Sequence, residues 1–346
     1  MKDNRFLNII YAIEGLNSRL NGSSKEVEGY AGGNDNITFT KKIGGKAYVS
    51  APCVKKNMKE FMGNQGYEIS TYKKNGSQVV SASHPARFLN EDVFGLMLAS
   101  KEEITEEEYN ELDDEMKKLY KGNKKKYTRN VTKKRRANFM MNGIIGVNRR
   151  RVNKEFGICK AENESMPYKL ETYSDMLVGL GSLNINETGK FNISDEATEF
   201  RDYSIKEAEI LGIKEELSKE HKFNRIKTAL QGLQYLSLKS NQSNYLTDTM
   251  PKVVILGEYK WGNNVFQGLI NKDGVNIEGL KEVLEEYNHW RNSKIWIGVS
   301  NRILNEEFET VKEDLEKEFG NYDDIVIGSV KNAFDGYLEY LKETMK

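Results

Sequence analysis

Residues 6–13, FLNIIYAI, limit what this chain can fold into more than any other segment. A half-buried strand alternates apolar and polar residues, and an amphipathic helix repeats every three or four; this run does neither. It stops directly at Glu14, too short for the apolar core of a secretory signal and far short of the ~18 apolar residues a membrane helix needs. What remains is a central strand, buried on both faces of a sheet. A chain of 346 residues has room for the layers on either side, as one large elaborated domain or two ordinary ones. With 38% hydrophobic residues it can fill them, which excludes a disordered chain.

The segments that follow read as alternating elements. Residues 17–33 are rich in Asn, Gly and Ser and predict a loop. Residues 36–40 and 46–49 flank Gly44-Gly45, a hairpin signal. Ser50 is a helix N-cap candidate with Pro52 in the first turn, and Val54, Met58, Phe61 and Met62 share one face of a helix over 51–62. A second hairpin is expected over 69–83, turned at Asn75-Gly76, and a short helix over 92–99. Thr105 is a cap candidate for a charged helix that Gly122-Asn123 ends. Residues 139–147 predict a core strand, 153–168 a loop, 173–185 a long strand and 253–256 a short one. Phe223, Ile226, Ala229, Leu230, Leu233 and Leu236 repeat at helical spacing. Helices over 277–287, 306–319 and 330–342 surround a strand at 294–299. Without its insertions the order is strand, helix, strand, strand, helix, strand, which is that of the ferredoxin-like or RNA-recognition (RRM) fold, an α+β class.

The formal net charge is zero, yet the signs are segregated. Residues 102–115 are acidic, 117–136 hold eleven Lys and Arg and no acid, and the C-terminal third is acidic again. The basic stretch, which ends at Arg135 and Arg136, reads in two ways. It can follow a phosphate backbone, with Tyr120, Tyr127 and Phe139 stacking on bases. It can equally pair with the acidic segment just before it. Lys55, Lys56 and Lys59 sit beyond a helix start, where anions are favoured, or they form an ordinary basic outer face.

Other chemistries find little support. There is no GxxxxGK[ST] and no GxGxxG. Cys53 and Cys159 form no CxxC, which argues against a disulfide scaffold and structural zinc. His84, His221 and His289 fall in no metal-binding spacing. The chain reads as a soluble, intracellular non-enzyme with no metal and no cofactor.

Five blocks go further: AYVSAPCVKKNMKEF at 47–61, DVFGLMLA at 92–99, KKRRANFMMNGIIGV at 133–147, MPYKLETYSDMLVGLGSLNINETGKF at 166–191 and ALQGLQYLSLKSNQSNYLTDTMPKVVI at 229–255. In this order, over most of residues 5–258, they resemble the DevR-type (Cst-type) backbone subunit of type I-B CRISPR Cascade surveillance complexes, the seventh Cas family. The resemblance implies an RRM-like palm from 1–65, 139–149 and 173–346, inserted fingers over 66–138 and a thumb hairpin over 150–172. It implies a cytoplasmic, non-catalytic subunit in antiviral defence. Copies of it form a helical filament along crRNA and pre-order the guide for a target DNA strand, beside other Cascade subunits.

On this resemblance Ser50, Lys55, Lys56 and Lys59 grip guide phosphates, and Asn17 and Arg19 contact the backbone. Arg135 and Arg136 join them from the basic stretch. Lys239, Asn241, Gln242 and Ser243 match an RNA-facing polar loop, although Ser237-Leu238-Lys239-Ser240 departs from the family's glycine-rich entry to it. Phe156, Ile158 and Met166 are the thumb residues expected to displace a base. Related subunits of type III complexes cleave RNA with an acidic residue; Glu14 and Asp35 fall in no such pattern, so no nuclease activity is expected. Two alternatives stand beside this reading: an endoribonuclease of the same superfamily that processes repeat RNA, and a regulatory subunit whose basic insertion binds a protein.

Overall fold

The computed structural model describes residues 4–345, apart from 22–36, 39, 76–77, 99–100, 113–116, 119, 124–125, 131, 150–151, 161, 163, 197–199 and 241. The chain forms two compact units, one from residues 1–61, 140–184 and 227–345, the other from 62–139 and 185–226. The second unit therefore takes in 185–226 as well as most of the expected insertion.

The first unit is built on an eleven-stranded sheet. Its strands are β1 (Phe6–Ser18), β2 (Ile37–Thr38), β3 (Lys42–Ile43), β4 (Lys46–Val49), β5 (Phe139–Met141), β6 (Ile144–Gly146), β7 (Asn153–Lys160), β8 (Ser165–Asn184), β9 (Pro251–Tyr259), β10 (Arg291–Val299) and β11 (Ile325–Gly328). The order across the sheet is β11-β10-β9-β1-β8-β6-β4-β3, and β5, β7 and β2 also pair with β8. The middle four, β9-β1-β8-β6, are antiparallel throughout. Helix α1 (Ala51–Asn64) lies between β1 and β6 in sequence, and α2 (Lys219–Gln234) between β8 and β9. The two helices touch where Gly232 lacks a side chain: a Cβ there would meet Met58 at 3.5 Å. Beside that contact Phe61 stacks on Tyr235 at 5.9 Å.

β1 is buried on both faces, as its unbroken apolar run requires. Ile10 and Ala12 join Val253, Ile255, Ile295 and Ile297 in a core closed by α4 (Ile277–Glu286) and α5 (Val311–Phe319), through Leu280, Val283, Leu315 and Phe319. Leu7, Ile9, Tyr11 and Ile13 are fully buried on the opposite face. On that same face α6 (Val330–Thr344) packs Tyr337 against Trp296, ring centroids 5.6 Å apart. The acidic C-terminal third therefore turns its apolar positions inward as sheet cover.

In the second unit, Asp92 is fully buried and accepts hydrogen bonds from Arg135, Arg225 and the Gly189 amide. Arg135 also bonds Asp202 at 2.6 Å. Such a cluster holds only because each buried charge meets an opposite one. Tyr127 stacks on Tyr109 at 3.8 Å, Tyr120 is buried, and Phe139 is buried against Phe94 at 6.3 Å. Tyr120 and Phe139 are packed within the protein, so the expectation that these two stack on bases fails, whereas Tyr127 is half-buried with one face on Tyr109. Lys126 pairs with Glu103 at 2.5 Å, and Lys133 with Glu207. The Lys126 pair is with the acidic segment just before the stretch, as its second reading expected, whereas Glu207 lies outside that segment.

Several local expectations are corrected. Residues 92–99 are not one helix: Leu89–Phe94 is helical, Gly95 turns the chain at φ +76°, and Leu96–Leu98 is a strand. Asp92 lies inside that helix instead of at its start. Ile37–Thr38 pairs with β8 rather than β4; the Gly44-Gly45 turn joins β3 to β4, with both φ values positive. Gly122-Asn123 lies in the strand Lys121–Asn123. The helix capped by Thr105 is Glu106–Glu111, closed by a reciprocal bond with Glu108. Within 153–168, Asn153–Lys160 form β7 and residues 165–168 the outer part of β8, where a loop was expected. β11 and the helix Ile205–Leu211 had no counterpart in the sequence reading. Gly76 of the expected Asn75-Gly76 turn lies outside the described residues.

Candidate nucleic-acid interface

Distant segments of the first unit meet where β1 ends. Its register shifts between Gly15 and Ser18, and Asn17 there adopts φ +40°, which asparagine tolerates. The Asn17 amide N–H donates to Ser174 Oγ at 2.8 Å, and its side-chain oxygen accepts from Thr172 Oγ1 at 2.9 Å. Both partners lie on β8 where it enters the sheet, so Asn17 fastens the base of the β7–β8 hairpin. Glu171, one residue further out, accepts the Thr40 amide at 3.0 Å.

The polar loop after α2 arrives at the same place. Its helical turn, α3 (Gln242–Tyr245), is locked where Gln242 Oε1 accepts the Thr247 amide at 2.7 Å. Thr247 Oγ1 in turn accepts the Leu16 amide at 3.3 Å. Tyr245 reaches across and donates its hydroxyl to Glu155 Oε2 on β7 at 2.7 Å. Partial burial and then this bond push the Tyr245 hydroxyl up to about 12. Burial holds the Arg19 guanidinium below its ordinary value, with Tyr245 nearby acting against that shift.

Helix α1 completes the grouping. The Ser50 carbonyl accepts the Cys53 and Val54 amides in its first turn. Cys53 Sγ lies 3.9 Å from the Leu20 carbonyl, and burial raises its thiol pKa, the opposite of what a nucleophile needs. Lys56 is exposed, while Lys55 and Lys59 are half-buried. Burial and then the Lys59 charge lower the Lys55 pKa. Lys239 joins the helix directly: its amide donates to Asn57 Oδ1 at 3.3 Å and its ammonium pairs with Glu60 at 2.5 Å.

The hairpin carries exposed apolar residues. Phe156 is 70% and Ile158 65% exposed, on the same face of β7, with Lys169 over the Phe156 ring at 5.4 Å. Met166 is placed through its backbone, opposite Cys159.

Asn17, Arg19, Ser50, Lys55, Lys56, Lys59, Lys239, Gln242, Ser243, Phe156, Ile158 and Met166 thus all belong to the first unit. Asn241 lies outside the described residues. Arg135 and Arg136 belong to the second: Arg135 is buried between two carboxylates, and exposed Arg136 lies over the Phe200 ring at 4.0 Å. Sequence reasoning missed Thr172, Ser174, Glu155, Tyr245 and Thr247. Its one cue was Tyr245-Leu246, an aromatic–aliphatic pair in an otherwise polar run.

Glu14 is buried, and its carboxylate accepts the Leu304 amide at 3.1 and 3.2 Å. Asp35 lies outside the described residues. His84 bonds the Tyr203 hydroxyl at 2.8 Å, His221 bonds Ser218 at 2.6 Å, and His289 leans on Trp290 at 5.0 Å. Among the described residues no group of three or more His, Cys, Asp or Glu could hold a metal ion, and no helix is long and apolar enough to cross a membrane.

No protein-family model matches the chain, and no curated protein matches it. Solved structures do. A chain of a "CRISPR RNA-guided surveillance complex" shares the fold over 97% of this chain and 99% of its own, with a TM-score of 0.50 at 11% identity. A chain of a "CRISPR RNA-guided surveillance complex, pre-nicking" gives 0.49 at 10% identity, with the same coverage.

Proposed function

We propose that this chain is a non-catalytic backbone subunit of a CRISPR RNA-guided surveillance complex, of the DevR type found in type I-B Cascade, and that it coats the guide RNA. On this reading β9-β1-β8-β6 with α1 and α2 are an RNA-recognition-type palm. The antiparallel order of those strands and the position of each helix between them in sequence support it. So does the fold shared with a surveillance-complex chain.

One observation carries the proposal. The end of β1, the start of α1, the α3 loop and a projecting hairpin converge, although they lie up to some two hundred residues apart in sequence. Their chemistry suits an extended RNA strand. Lys55, Lys56 and Lys59 replace counterions along phosphates, with Lys239 beside them paired to Glu60 and Arg19 buried behind, and Ser50, Asn17, Gln242 and Ser243 offer polar contacts to the backbone. Phe156 and Ile158, which no packing inside the protein explains, wedge between bases. Arg135 lies outside this interface, because its donors serve Asp92 and Asp202.

The partners are crRNA, the target DNA strand paired to it, further copies of the chain and other subunits of the complex. The non-catalytic reading is supported by Glu14, whose carboxylate holds Leu304 instead of facing a substrate. Regular cleavage of complementary RNA in the presence of Mg²⁺ would overturn that part. The whole proposal is tested by purifying the assembly and sequencing its nucleic acid. One short RNA of uniform length is expected; an assembly free of RNA and indifferent to added oligonucleotide sinks it.

A further inference from the structure

Leu246 is the most exposed large hydrophobic side chain among the described residues, at 87%, and it adopts φ +31°. The left-handed region crowds the Cβ of any L-residue and suits Gly or Asn, not a leucine. Stability gives no reason for either feature, since the side chain packs against almost nothing and strains the backbone that carries it. Strain kept at one residue needs surroundings that enforce it. Here they do. The Leu246 amide donates to the Gln242 carbonyl at 3.0 Å. On one side Thr247 is bonded to Gln242 and to Leu16, and on the other Tyr245 is bonded to Glu155 of the hairpin. The leucine is thus held outward between the end of β1 and the hairpin, in the loop that also carries Lys239 and next to Tyr245, which lies near Arg19.

We propose that Leu246 is a base-contacting residue of the RNA cleft, laying its apolar side chain against the face of an unstacked nucleobase. The inference rests on the RNA-coating reading above and adds a residue which that reading did not include. The cations of the same unit select the occupant, because exposed Lys56 and half-buried Lys55 and Lys59 attract a polyanion, whose bases are its only large apolar surfaces. A rigid aliphatic group can meet a base of any identity, so the contact is indifferent to sequence.

The test uses the full chain with Leu246→Gly and Leu246→Asn, each compatible with φ +31°. Each is measured by thermal unfolding and by binding to two fluorescent single-stranded RNAs of equal length, one ordinary and one abasic. Both variants should unfold at or above the wild-type temperature. Both should bind ordinary RNA roughly three- to tenfold more weakly, at most about 1.4 kcal/mol. Binding to the abasic strand should not change. Equal loss on both strands, or no loss on either, overturns the inference while leaving the RNA reading intact. Unchanged RNA binding with loss of self-association in sedimentation also overturns it, by assigning the leucine to a protein contact. A wild-type chain that binds neither strand defeats the underlying reading itself.

Discussion

What a cation can do for an anion depends on which groups already hold it. Arg135 and Lys55 lie in similar basic runs, yet one is enclosed by Asp92 and Asp202 and the other sits half-buried beside a second lysine. Asp92→Asn leaves Arg135 and Arg225 with a neutral partner in a buried site. Breaking a buried pair in this way costs about 3–5 kcal/mol, so urea unfolding should show a marked loss of stability. RNA affinity measured on the remaining folded protein should hold. Lys55 behaves in the opposite sense. Burial, and then Lys59, depress its pKa, so between that lowered value and 10.5 the unfolded chain binds more protons than the folded one. The penalty is fully present below that lowered value, and stability rises as pH climbs through the window. Lys55→Met should remove the rise, which thermal unfolding between pH 7 and 10.5 would detect; an unchanged rise would refute it. Neither role was legible beforehand, because Arg135 meets partners 43 and 67 positions away. Local composition says that a residue is basic, but not which way it turns.

Elements were legible where burial imposes a period. α1 shows its Val54-Met58-Met62 stripe in sequence, and β1 its unbroken apolar run. The hairpin shows no such period because β7 is exposed along nearly its whole length, so its residues carry no inside-outside signal and read as a loop. A two-stranded ribbon is marginal alone in water and needs external ties. Asn17 and Thr40 hold the β8 side, and Tyr245 holds Glu155 on β7. Tyr245→Phe deletes that last tie without altering packing volume. Amide exchange over residues 153–160 should accelerate, and RNA affinity should fall roughly twofold to tenfold, the size of one hydrogen bond of about 0.5–1.5 kcal/mol. Glu155→Gln keeps an acceptor for the hydroxyl and should leave exchange close to wild type. Faster exchange in Glu155→Gln, or none in Tyr245→Phe, would show that the hairpin takes its set from elsewhere.

Across the whole chain, a formal charge of zero conceals a division of labour. The acidic C-terminal third supplies α4, α5 and α6, whose apolar faces cover the sheet on both sides while their glutamates lie on the outer surface. The alternation of strands and helices could be read from the sequence, but the convergence of β1, α1, α3 and the hairpin could not. That convergence depends on a sheet order which joins residues 6–18 to both 165–184 and 251–259. It leads to a quantitative expectation. If the converging cations meet phosphates of a single strand, the logarithm of affinity falls linearly with the logarithm of salt concentration, by about 0.7 per phosphate contacted. Replacing Lys56 and Lys59 together by alanine should therefore make that slope shallower by up to about 1.4 and weaken unrelated RNA sequences equally, because phosphates carry no sequence information. Arg135→Lys perturbs only the enclosed network, so the slope of the folded protein should stay where it was. Titrations of two unrelated oligonucleotides between 50 and 300 mM salt separate the outcomes. A slope that Lys56 and Lys59 do not change, or a loss confined to one sequence, would mean that the convergent surface does not follow a phosphate backbone.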